Sequence, residues 1–128
     1  MSEVLVPVSV GELVDKITIL RIKSRKIADP AKLANIKAEL TSLEGVCAKV
    51  GIDLANPLVA ELERINLALW QIEDDIRDKE RAKTFDQGFI ALARAVYQTN
   101  DERFAVKSRL NAQTGSKYRE EKSYQPYS

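Results

Sequence analysis

The chain has 128 residues, 45% apolar and 30% charged, with 20 bases against 19 acids for a net charge of +1. That length suits one domain burying roughly two thirds of its unfolded surface, and the composition excludes a disordered chain. The balanced charge speaks against a dedicated nucleic-acid binder, no apolar run reaches the ~20 residues of a membrane span, and the absence of histidine removes imidazole catalysis and imidazole metal sites.

The opening MSEVLVPVSV carries an acid at Glu3 and no basic segment, so it does not read as a secretory signal. Within it VLVPV, residues 4–8, is apolar and β-branched but interrupted by Pro7, which predicts an extended lead-in or edge strand. Ser9 and Glu12 have the spacing of a capping box. The first helix is expected over about residues 10–28, closed by Asp29-Pro30. Its core face is Leu13, Ile17, Leu20 and Ile27, while Ile19 and Ile22 point the other way. A helix apolar on two sides is covered on two sides. The second cover is either the lead-in or the C-terminal tail, or a second copy in a homodimer through Ile19 and Ile22.

Asp29 and Pro30 start a second helix over about 31–50, with the stripe Leu33, Ile36, Leu40, Leu43, Cys47 and Val50. The lone Cys47 excludes an internal disulfide and suits a reducing cytoplasm. Asn56-Pro57 restarts the chain as a third helix over 57–83, roughly 40 Å long, with Leu58, Leu62, Ile65, Leu69, Ile72 and Ile76 inward. A fourth helix over 86–114 carries Phe89, Leu92, Val96, Val106 and Leu110 before Gly115. The tail, 115–128, has three tyrosines and no helical period. These elements predict a single all-α domain over residues 1–128. It is an elongated antiparallel four-helix bundle with a short extended N-terminal segment and an irregular C-terminal tail.

The stretch WQIEDDIRDKE, residues 70–80, holds five carboxylates. At 100° per residue, Asp74 and Asp78 lie opposite the core and Asp75 lies on a flank. Glu73 and Glu80 instead border the apolar stripe, with Arg77, Asn66 and Trp70 beside them. A hard cation such as Mg²⁺ would need Asp74, Asp75 and Asp78, which lie on or near the outer face. A salt-bridged interhelical edge is the stronger reading.

In the fourth helix, continuing Leu92/Val96 to Val106/Leu110 turns Thr99 and Arg103 toward the core. An inward arginine costs several kcal/mol unless paired. Glu73 or Glu80 is the expected partner, with Glu12 or Asp15 of the first helix as the alternative. Asn100 and Lys107 flank Arg103. The seam is either a buried network that fixes helix register or a pocket in which Arg103, Lys107, Arg77 and Asn100 hold an anionic ligand.

VPVSVGELVDKITILRIKSRKI (6–27), LWQIEDDIRDKE (69–80), LARAVYQTNDERFAVK (92–107) and EEKSY (120–124) together resemble an uncharacterised bacterial domain-of-unknown-function family of short helical proteins. The resemblance implies no activity, substrate or cofactor. Its pattern points at Gly11, Glu12, Asp15, Lys16, Trp70, Glu73, Asp74, Arg77, Asn100, Asp101 and Arg103. The expected function is a non-catalytic cytoplasmic module binding an anionic small molecule or a protein, with no cofactor and no specific nucleic acid or membrane. Its binding residues would be Arg103, Asn100, Lys107, Glu73, Arg77, Trp70, Glu12, Asp15 and Lys16. The alternative is a small enzyme for a phosphorylated or nucleotide-type substrate, with Mg²⁺ on Asp74, Asp75 and Asp78.

Overall fold

In the computed structural model, residues 2–127 are described. Four helices follow one another, α1 Val10–Lys26, α2 Pro30–Val50, α3 Pro57–Arg81 and α4 Gln87–Thr114. No strand occurs among the described residues, and the lead-in over residues 2–8 has no regular secondary structure. Each helix start has a side-chain acceptor for an otherwise unpaired donor: Ser9 for the Glu12 N–H, Asp29 for Lys32, Asn56 for Leu58 and Asp86 for Phe89. Gly51 and Gly115 end α2 and α4 in the left-handed region, with φ of 80° and 64°. Only half of the expected capping box forms. The Glu12 carboxylate reaches Lys107 of α4 instead of returning to Ser9.

α1 is the central helix. It packs against α2, α3 and α4, whereas α2 touches α1 alone. This settles the two-sided apolar character of α1, since Val14, Ile17, Leu20 and Ile22 are all buried. Ile22, 1% exposed, is closed within the chain. Ile19 stays half-buried. The lead-in is not the cover, because Val4 and Leu5 are 82% and 83% exposed.

The main core joins Val14 of α1 to Leu58, Val59, Leu62 and Ile65 of α3 and to Val106 and Leu110 of α4. With one neighbour only, α2 buries just Ile36 and Cys47 of its stripe and leaves Val50 exposed. α3 and α4 run antiparallel, joined at Asn56–Gln113, Glu61–Arg109 and Lys79–Asp86. The core fills one end of this hairpin. From Leu67 to Ala105 no residue is buried, so Leu69, Ile72, Ile76, Phe89, Leu92 and Val96 form a half-buried seam rather than core. Two helices alone cannot enclose a stripe, and this half of the hairpin projects beyond α1.

The tail turns back along α4. Glu120 lies at Lys107, the Lys122 ammonium sits 5.1 Å from the Phe104 ring, and the Tyr127 ring is 4.9 Å from that of Tyr97. Tail numbers rise as α4 numbers fall, so the tail is extended and packed on the helix. No helix among the described residues is long and apolar enough to cross a membrane.

Candidate functional site

The centre of the site is Asp15, an acid on the buried face of α1 with 1% of its surface exposed. A carboxylate so placed must be paired and hydrogen-bonded on both oxygens. Oδ1 accepts from Arg103 Nε at 2.9 Å and from Asn66 Nδ2 at 2.8 Å. Oδ2 accepts from Arg103 Nη2. Asn66 also donates to Thr18 Oγ1 at 2.9 Å, and Thr18 Oγ1 donates to the Asp15 carbonyl at 2.8 Å. Three helices thus contribute one residue or more to a closed polar cluster.

Arg103 therefore pairs with Asp15, the alternative partner, and not with the acids of α3. Glu73 forms its ion pair with Arg77 one turn along, and Glu80 pairs with Lys83 at 3.2 Å. The physical reason is depth. Both α3 acids sit on the half-exposed edge, whereas Asp15 faces the core beside Arg103. Asp15 holds the guanidinium above its ordinary range through its hydrogen bonds, against the opposing effect of burial.

One turn along α4, Lys107 is buried among three carboxylates. Its side chain is 6% exposed, with Nζ 2.9 Å from Glu12, 3.0 Å from Glu120 and 4.0 Å from Asp15. Burial alone would lower this ammonium, but the surrounding carboxylates outweigh it and hold the group above the usual lysine value. Beyond it, Asn111 Oδ1 accepts from the Gly11 N–H at 2.7 Å, and Ser116 Oγ accepts from the Val10 N–H at 3.0 Å. Gly11 is needed for this approach, since a Cβ there would lie 2.7 Å from the Lys107 carbonyl oxygen.

Where α1 leaves the hairpin, a groove of about 500 Å³ opens. Ile19, Leu69 and Trp70 supply its apolar wall, and Asn66, Glu73, Asp74, Arg77, Asn100 and Arg103 its polar one. Arg103 is fixed through its Nε/Nη2 edge, and 28% of its side chain remains exposed. Nη1 has only a long contact, 3.5 Å, to Asn100 Oδ1. A partly exposed guanidinium held on one side by Asp15 thus lines the groove, and its planar fork is of the kind that fits a carboxylate.

The structure brings Arg103, Asn100, Trp70, Glu73, Arg77 and Asp15 together, while Lys107 and Glu12 lie behind them. Lys16 is elsewhere, paired at the surface with Glu39 of α2 at 3.0 Å. Asp74, Asp75 and Asp78 do not converge: Asp75 accepts from Gln71 and Asp78 pairs with Arg81. No group of three metal-ligating side chains comes together among the described residues. Thr18, Asn111 and Ile19 were missing from the expected binding set. The signal for Thr18 was present, since Asp15 and Thr18 are a polar i,i+3 pair inside the apolar run VDKITIL.

A protein-family model described as a family of unknown function, DUF6165, matches residues 4–128, and the chain belongs to that family. No curated protein and no solved structure matches it.

Proposed function

We propose that the protein is a non-catalytic binding module whose groove takes one apolar group together with one carboxylate. The observation that carries this reading is the guanidinium of Arg103, held by Asp15 through Nε and Nη2, in a residue that lines the groove and keeps part of its side chain exposed. Charge favours a carboxylate over a phosphorylated ligand. The groove is lined by two arginines and two acids, with Asp15 behind them, so it offers no surplus of positive charge to a dianion, and a single carboxylate would be held by hydrogen bonds to Arg103 rather than by net charge. The apolar wall of Ile19, Leu69 and Trp70 supplies area for an aliphatic or aromatic group. Nothing in the reading requires a nucleophile, and Asp15 is buried, with three hydrogen bonds from Arg103 and Asn66 tying it to the frame.

Trp70 is the only tryptophan in the chain and stands in the groove, so its emission reports occupancy. Titration with millimolar N-acetyl-leucine should shift that emission, and N-acetyl-leucinamide should bind at least several-fold more weakly. Equal responses to acid and amide, or none to either, would remove the carboxylate assignment.

A further inference from the structure

The lead-in has the chemistry that the groove would select. Val4, Leu5 and Val6 are 82%, 83% and 66% exposed, an apolar run with no partner in its own chain. The carboxylate of Glu3 precedes it, and Pro7 stiffens it into extended backbone, which reduces the entropy lost on docking. Residues 4–8 fall inside the span matched by the family, so the run is part of the shared domain. A soluble chain that holds three consecutive apolar side chains in water presents an interaction element.

We infer that the lead-in of one copy docks in the Arg103 groove of a second copy, giving an arm-exchanged homodimer. This rests on the groove reading above. Val4 to Val6 would lie on Ile19, Leu69 and Trp70, and Glu3 would meet the open edge of Arg103. The matched pair is one acid for one guanidinium edge and an apolar strand for an apolar wall. Exchange between two copies closes the assembly, because each copy gives one arm and receives one. A second copy is favoured over the arm's own groove by position. The arm leaves α1 at Ser9, where α1 is fastened to the far end of α4 through Val10–Ser116. The groove opens past Ile19, about 14 Å along the helix from Val10 at 1.5 Å per residue. A return in the same chain would have to reverse beside the exposed Glu12 and Lys16. Ile19 is thereby part of a dimer contact, while the buried Ile22 is not.

The test compares the full chain with one lacking residues 2–7, which retains the Ser9 cap and loses only exposed residues. Light scattering should give twice the 14.4 kDa chain mass for the full chain and the single mass for the shortened one. A synthetic peptide of residues 2–9 should then shift Trp70 emission in the shortened protein, and its Glu3→Gln version should bind at least several-fold more weakly. A full chain that is monomeric at high concentration overturns the exchange. A dimer that survives the deletion overturns it too, as does a Trp70 change on deletion from a monomer, which places the arm in its own groove. If N-acetyl-leucine binds and the arm peptide does not, the groove stands and the exchange falls. If neither binds, both fall.

Discussion

Asp15 and Arg103 carry the site, and their worth is set by burial. Removing one partner of such a pair strands a charge in the interior, at about 3–5 kcal/mol. Asp15→Ala should therefore lower the unfolding free energy by that amount in urea titration. Arg77→Ala, which breaks the exposed pair to Glu73, should cost under about 1 kcal/mol. Similar losses from the two would mean that Asp15 is not the buried counter-ion. Gly11→Ala should cost about 1–3 kcal/mol by pushing α1 off the Lys107 carbonyl. Arg103 was legible in the sequence because it interrupts an apolar stripe, and an inward arginine demands an acid. Which acid was not legible. A helical wheel gives the face of each residue on its own helix but not the depth at which a neighbouring helix crosses, so it favours the edge acids Glu73 and Glu80 and leaves Asp15, the true partner, as the alternative.

The helices differ in how well they are held. Caps and breakers were readable locally, and the ends at Asp29-Pro30, Gly51 and Asn56-Pro57 lie where those residues dictate. The number of neighbours was not readable, since a stripe of leucines looks the same whether one helix or two cover it. α2 has one neighbour, and the far half of the α3–α4 hairpin has no third helix over it. Amide hydrogen exchange should accordingly be fastest in α2 and in the α3–α4 segment 71–96, and slowest around Val14, Leu62 and Val106. Uniform protection along α3 would contradict the projecting hairpin. Cys47 gives a second reading of α2. Burial raises its thiol above the usual range, Arg21 partly offsetting this, so the native protein should react slowly with a thiol reagent until α2 opens.

At the scale of the molecule, α1 is fastened to α4 and to the tail through charge, and Lys107 is the shared cation. Its folded value lies above that of the unfolded chain, so its contribution is complete below the ordinary lysine value of about 10.4 and is lost as pH rises through the folded value. The stability difference between the wild type and Lys107→Met should stay constant from neutral pH to about 10, then shrink. A constant difference at higher pH would mean that the lysine charge does not hold tail and helix together. The same frame presents Arg103 to the groove, and the most direct measurement is made there. In ¹⁵N-labelled protein the single Trp70 indole N–H signal should move on addition of N-acetyl-leucine. In Arg103→Lys, which keeps the charge opposite Asp15 but loses the planar fork, it should stay in place while the remaining signals keep their folded dispersion. An equal shift in both proteins would show that the guanidinium is not the anchor.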